Sequence, residues 1–165
     1  MQSIGRLTLI GVAALALAAG VASPQVADKK VLTLAGARAV AAAAEAEAGK
    51  SNSGGGIAIV DDGGHLIYFE RLDNTFPAAA NISVGKARSA ATFRKATAFF
   101  EEAIKNGRTS LVANPELLPL QGGEPIVVDG QVVGAVGVAG AASAQTDEEI
   151  AKAASAALGK PEGHR

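Results

Sequence analysis

His65 is the side chain of this 165-residue chain whose type and position best suit chemistry. It follows Gly63 and Gly64 at the start of a predicted strand, where an imidazole could be an axial metal ligand or an acid–base group at a pocket rim. The alternative is a half-exposed strand residue without such a role. No cysteine and no second histidine stands at metal-ligand spacing from it, so the sequence does not indicate a zinc or copper site.

Lys86 is the second candidate, because its neighbours in Val84–Ala87 are small or apolar. A lysine whose stem is buried in this way could pair its ammonium with a carboxylate or a propionate group. Asp61 and Asp62 point to opposite faces of an extended chain, and turn chemistry explains them better than a catalytic pair. No serine stands in a Gly-x-Ser-x-Gly elbow, and no phosphate-binding or dinucleotide fingerprint is present.

A group of glycines near the last predicted strand also requires a reason. They are Gly122 and Gly123 before it, and Gly134, Gly137 and Gly140 within and after it. Glycine inside a strand often marks the close approach of a ligand or of another backbone. Two interpretations follow: alanine-rich helices press against this bare face, or a flat ligand or second subunit lies on it.

Caps, glycine stops and turns divide the chain into the elements that must position these residues. Asp62-Gly63-Gly64 and Asp129-Gly130 are typical of tight hairpin turns. The predicted strands are 56–61, 65–72, 125–128 and 131–138. The predicted helices are 34–48 behind an N-cap at Thr33, 80–94, 97–106, and 146–158 opened by a capping box of Thr146 and Glu149.

Two hairpins produce antiparallel strand pairs, so the predicted fold belongs to the α/β (α+β) class. It is an antiparallel sheet of about five strands, built from the two hairpins and covered by helices. The stretch 108–120 contains Pro115 and Pro119 and is predicted to be irregular, with at most one short strand.

The first 23 residues have the pattern of a secretory signal peptide. Arg6 precedes the apolar run Leu7–Ala19, which is shorter than the about 20 residues of a membrane-spanning helix. Small residues follow, and cleavage is expected after Ala22 or Ser23. The predicted organisation is a signal peptide at 1–23, a flexible leader at 24–30, one domain at 31–158, and a frayed tail at 159–165 that contains a solvated His164. The mature protein is expected to be periplasmic or secreted.

The charge balance bears on the class of partner. Without Arg6 the mature chain carries 14 basic and 16 acidic residues, dispersed along its length. Such a near-neutral domain is not expected to bind nucleic acid or, after cleavage, a membrane. The absence of cysteine excludes thiol chemistry and thiolate metal sites.

Several motifs in a fixed order resemble the GlcG/HbpS family. They are Ile59–Leu66, Arg71–Asp73, Lys86–Phe93, Gly122–Ile126 and Val132–Gly140. The resemblance covers about residues 31–158. It implies a profilin-like α/β domain, similar to the C-terminal domain of PduO-type proteins, that forms homo-oligomers. Some exported members of the family bind haem and act with redox-sensing partner proteins.

The resemblance brings further candidate residues for a haem or other cofactor site. Thr92 and Thr97 join His65 as candidate axial ligands, and Lys86 and the glycines 122, 123, 134 and 137 as contacts. The favoured hypothesis is an exported small-ligand-binding protein that binds haem as a buffer or sensor accessory. The alternatives are an enzyme that acts on a small organic acid through His65, Lys86 and Asp61, and an oligomeric scaffold without a ligand.

Overall fold

A four-stranded antiparallel sheet lies at the centre of the protein; the structure, a computed structural model, describes residues 25–158. The strands are β1 (Gly56–Asp61), β2 (Leu66–Arg71), β3 (Gly123–Val128) and β4 (Gln131–Ala139), in the order β2-β1-β4-β3. The predicted class, two hairpins and antiparallel pairing are confirmed. The strand number is four rather than about five, because the stretch before β3 contains only a 3-10 turn, Thr109–Ala113. Its two prolines cannot donate to a sheet ladder.

Four helices accompany the sheet: α1 (Leu34–Lys50), α2 (Ala79–Thr92), α3 (Thr97–Lys105) and α4 (Ala144–Ser155). Thr33 caps α1 as predicted, since its hydroxyl oxygen accepts from the Gly36 N–H at 3.1 Å. The predicted start of α4 is wrong. Ser143, three residues before Thr146, accepts the Thr146 N–H at 3.0 Å and takes the N-cap position.

Helices cover both faces of the sheet, and β1 shows this most clearly. Ile57 and Ile59 point into a core shared with α1 and α4, whereas Ala58 and Val60 point into a core with α2. The contact faces of α1 and α2 are mostly alanine. Small side chains bring the helix axes close to the sheet, and the face covered by α2 is particularly tightly packed.

Glycines make this close approach possible. A Cβ at Gly137 would clash with the Ser83 carbonyl oxygen and lie 2.5 Å from the Ala87 nitrogen, both in the backbone of α2. A Cβ at Gly123 would lie 2.5 Å from the Lys86 carbonyl oxygen, and one at Gly134 would overlap the Val60 carbonyl oxygen. Protein atoms occupy the space over these three glycines, so helix and strand packing accounts for them and no ligand contact is assigned to them.

The structure describes only part of the two terminal segments of the chain. Residues 1–24 with the predicted signal peptide, and residues 159–165 with the predicted tail, lie outside the described residues. In the predicted leader, Lys29 pairs with Asp62 at 2.8 Å and Lys30 with Asp129, so it contacts both hairpin turns. Between residues 25 and 158, no helix combines the length and apolar character that a membrane crossing needs.

Candidate functional sites at the two ends of strand β1

Lys86 lies on the inner side of α2 and is only 3% exposed. Its Nζ donates to the Val138 carbonyl oxygen and to Asp147 Oδ2, both at 2.8 Å. Asp147 Oδ1 accepts the Ala141 N–H at 2.9 Å. The prediction that a buried-stem lysine pairs with a carboxylate is confirmed. The pair joins α2, the end of β4 and the first turn of α4.

A cleft of about 240 Å³ opens beside this pair, and we call it the Lys86 cleft. Its apolar walls are Phe76, Ile82 and Leu120, and its charged lining is Lys86, Asp147 and Glu101. Phe76 and Leu120 are about half exposed, so the cleft opens to solvent on their side. An apolar wall facing a few fixed polar groups is the usual form of a small-molecule site.

Glu101 contributes a negative charge to this cleft. Its Oε2 accepts the Gln121 N–H at 2.7 Å, and its Oε1 pairs with Lys105 at 2.9 Å. The hydrogen bond from Lys105 lowers the pKa of Glu101 below its usual value, in spite of partial burial. Glu101 is therefore ionised at neutral pH, with its charge offset by Lys105.

His65 lies at the other end of β1, in the β1–β2 turn, and its side chain is 83% exposed. The Asp61 carboxylate holds this turn: Oδ1 accepts the N–H groups of Gly63 and His65 at 2.9 and 2.8 Å. Burial acts to raise the pKa of Asp61, but the backbone and side-chain hydrogen bonds from His65 outweigh it and lower that pKa. We call this arrangement the His65 turn.

The imidazole of His65 is oriented by the same carboxylate. Its Nδ1 lies 3.2 Å from each oxygen of Asp61. An ionised carboxylate only accepts hydrogen bonds, so in the neutral ring Nδ1 carries the proton. The Nε2 lone pair then points away from Asp61, on a side chain that is open to solvent.

The C-terminal end of α2 packs against the His65 turn. Gly64 has φ +83°, and a Cβ there would lie 2.8 Å from Arg88 Cγ and 3.2 Å from Thr92 Cγ2. Thr92 therefore lies beside the turn, although its hydroxyl donates to the Arg88 carbonyl oxygen at 2.9 Å. Leu66 and Phe93, the residues that follow His65 and Thr92, are 52% and 38% exposed.

Thr97 has a structural role in this arrangement. It is fully buried, donates to the Leu120 carbonyl oxygen at 2.6 Å and accepts the Gly123 N–H at 2.8 Å. Both capacities of its hydroxyl are used to fix the chain that enters β3. No ligand role is assigned to it.

The two sites are separate. Val138, which accepts from Lys86, pairs with Ile57, whereas Asp61 is four residues further along β1 and pairs with Gly134. At about 3.3 Å per residue the sites lie roughly 13 Å apart along the strand. The fold therefore does not bring together the three residues of the enzyme hypothesis, because it places Lys86 at the end of β1 opposite His65 and Asp61. Within residues 25–158, no group of three or more histidine or acidic side chains could hold a metal ion.

Over residues 25–158, the fold and the order of the elements define an α/β protein in which two hairpins form a helix-covered antiparallel sheet. The family model described as haem degrading protein HbpS-like matches residues 32–156. The chain belongs to this HbpS-like family, and the predicted GlcG/HbpS resemblance is confirmed.

Named relatives agree with this assignment. Protein GlcG of Escherichia coli K12 is 53% identical over 89 residues, which are 54% of this chain and 66%, just under two thirds, of GlcG. A double mutant of Streptomyces reticuli HbpS is 32% identical, with a TM-score of 0.75 over 87% of this chain and 99% of that one. The PduOC:haem complex has a TM-score of 0.70 over 78% and 96% of the two chains, and at 22% identity it shows the shared fold.

Proposed function

We propose that the protein binds haem outside the cytoplasm, as a haem buffer or sensor accessory, with His65 as an axial ligand. The observation that carries the proposal is the exposed imidazole that Asp61 orients through Nδ1, with Nε2 directed away. A carboxylate behind a metal-binding histidine fixes the ring and raises its basicity as a ligand. Membership of the HbpS-like family supports haem over other metal groups.

The surroundings of the His65 turn fit a porphyrin on an open surface. Leu66 and Phe93 offer exposed apolar contacts. Arg88, whose Nε lies 3.4 Å from the Gly64 carbonyl oxygen, and the exposed Arg94 offer cations for propionate groups. Bound haem would supply one-electron redox and oxygen chemistry at its iron. The protein would hold the group through His65, orient that ligand through Asp61 and fix the propionates.

Export and assembly belong to the same proposal. The N-terminal segment 1–23, with its charged start, apolar run and small residues before Pro24, supports a cleaved signal peptide. Phe99 on α3, which is 48% exposed, offers an apolar contact for a homo-oligomer away from the Lys86 cleft lining. A redox-sensing protein would be the partner of an exported sensor accessory.

Titration of the purified mature chain with hemin, followed by absorption spectroscopy, tests haem binding. The expected result is a saturable change of the Soret band at micromolar protein. Its absence would overturn the proposed function. His65→Ala should alter or abolish the band of the bound form, whereas Thr92→Val, which removes the neighbouring candidate ligand, should leave it unchanged. The opposite outcome would assign ligation to Thr92.

Export is tested separately by fractionation of cells that produce the full-length chain. The expected product lies outside the cytoplasm and begins at Ser23 or Pro24, as read from its intact mass. An uncleaved chain retained in the cytoplasm would overturn export without bearing on haem binding.

A further inference from the structure

We propose that the Lys86 cleft is a second ligand site, which binds a small monocarboxylate independently of haem. It lies at the end of β1 opposite the His65 turn, and nothing in its geometry requires a porphyrin. The failure of either proposal would therefore leave the other intact.

The first argument is the unused donor capacity of Lys86. An ammonium group has three N–H donors, and two of them reach Val138 and Asp147. The side chain is 4% exposed, yet it lines the cleft. A buried charged donor without an acceptor is costly, and a ligand oxygen in the cleft would supply the acceptor.

The second argument is the position of α4, a 12-residue helix whose first residue, Ala144, also lines the cleft. Ser143 accepts the N–H groups of Thr146 and Asp147 through its hydroxyl and carbonyl oxygens. The N–H groups of Ala144 and Gln145 belong to the first turn, which has no intrahelical acceptor. Of these two residues Ala144 lines the cleft, so the positive end of the helix lies on the same side as the Lys86 ammonium.

The charges that face the cleft limit the ligand to one negative charge. Asp147 is offset by Lys86, and Glu101 by Lys105. A monoanion needs only the free donors, whereas a second carboxylate would lie against Asp147 and Glu101. Since one water occupies about 30 Å³ in the liquid, the 240 Å³ cleft holds a molecule of a few carbon atoms. The apolar walls, Phe76, Ile82 and Leu120, suit an alkyl chain opposite its carboxylate.

Sodium propionate is the probe, and backbone amide signals of the 15N-labelled mature protein are the readout. We expect saturable shifts at Ala141, Ala144 and Gln145, and none from propionamide, which has the same shape without the charge. Absence of a saturable shift, or equal binding of propionamide, would overturn the proposal.

Variants locate the site. A Lys86 variant would leave Asp147 buried without its cation, so the test instead fills the cleft from an exposed position. Ala144→Phe should weaken propionate binding at least roughly tenfold. Ala142→Phe, an equally exposed change two residues earlier and outside the cleft lining, should leave the dissociation constant unchanged. Equal affinity in the two variants would place any propionate elsewhere and overturn the assignment.

Discussion

A basic side chain lies beside an aspartate at each end of β1, and the two pairs differ in their burial. At one end the side chains of Lys86 and Asp147 are 4% and 8% exposed. At the other, the side chains of His65 and Asp61 are 83% and 33% exposed. The first pair is enclosed by three elements and ties them together. The second pair fixes a turn and presents a ring nitrogen to solvent. The difference in burial thus distinguishes a pair that ties elements together from a pair that leaves its ring open to solvent.

The largest loss of stability is expected when the ammonium group of Lys86 is removed. Lys86→Met keeps the apolar stem but leaves Asp147 buried without its partner, so we expect a loss of about 3–5 kcal/mol in the free energy of unfolding. Urea denaturation followed by circular dichroism measures it. Lys105→Met is the control, because the Lys105–Glu101 pair is exposed at the lysine and its loss should barely move the midpoint. A Lys86 variant as stable as the wild type would show that the buried pair does not hold the elements together.

The close contact between α2 and β4 at Gly137 is expected to contribute the next largest share of stability. In Gly137→Ala the new Cβ meets backbone atoms of α2 at Ser83 and Ala87, which cannot move like a side chain. We expect a loss of about 2–3 kcal/mol in the free energy of unfolding, typical of overpacking. Gly49→Ala in α1 is the matched control, because apart from its chain neighbours and its own helix backbone no atom would lie within 4 Å of the new Cβ, and it should gain about 0.5 kcal/mol. If both variants behave alike, α2 does not press on β4 as described.

Much of this fold follows from local chemistry. The bounds of β1 are those predicted, and both hairpin turns lie where predicted, with positive φ at Gly64 in the first and at Asp129 and Gly130 in the second. Lys86 could be recognised from its small neighbours. Its partner could not, because Asp147 is 61 residues away and its Thr-Asp-Glu-Glu context resembles an ordinary acidic helix start. The misplaced cap of α4 has a similar cause, since Thr146 and Glu149 match a capping box that Ser143 pre-empts.

The sequence also could not predict that Lys86 lies far from His65 and Asp61. Whether His65, Asp61 and Lys86 converge depends on the register of β1 against β4, which no local pattern specifies. The glycines of β4 were ambiguous for the same reason: a missing side chain predicts close approach, but not whether a ligand or a helix approaches. The packing decides it: backbone atoms of α2 lie over Gly137, and the Val60 carbonyl oxygen of β1 lies over Gly134.

Glu124 carries a partly buried carboxyl group that forms no salt bridge with any residue between 25 and 158. Burial raises its pKa to about 7, Lys152 opposes that rise and Glu148 adds to it. One of its oxygens, Oε1, is buried and has no hydrogen-bond partner within the part of the chain that the structure describes. The folded protein therefore keeps a proton that the unfolded chain loses near pH 4.5, so this group's contribution to stability falls as pH rises from about 4.5 to 7.

Glu124→Gln removes that penalty without changing the shape of the side chain. The variant should be more stable than the wild type at pH 8 by on the order of 1 kcal/mol and nearly equal to it at pH 4.5. Urea denaturation of both proteins across this pH range measures the difference. Glu149→Gln, an exposed change on α4, should show no such trend. A difference that does not vary with pH would mean that folding does not raise the pKa of Glu124.

The smallest effect on stability is expected at the exposed pair of His65 and Asp61. His65→Ala removes a side chain that is 83% exposed, so the free energy of unfolding should change by no more than about 0.5 kcal/mol. Asp61→Asn keeps an oxygen that can accept the N–H groups of Gly63 and His65, but it removes the charge behind the imidazole. It should leave the turn folded and weaken hemin binding by about tenfold or more, as loss of a supporting carboxylate does at other metal-binding histidines.

The two variants together separate a ligand from a structural residue. If His65→Ala unfolds at the wild-type urea concentration while its hemin spectrum changes, the exposed pair serves binding and not folding. If Asp61→Asn destabilises the protein as much as Lys86→Met does, the turn is as structural as the buried pair, and the contrast between the two ends fails. Because Asn retains the acceptor that the turn needs, a large loss of stability in that variant would have to come from the missing charge alone.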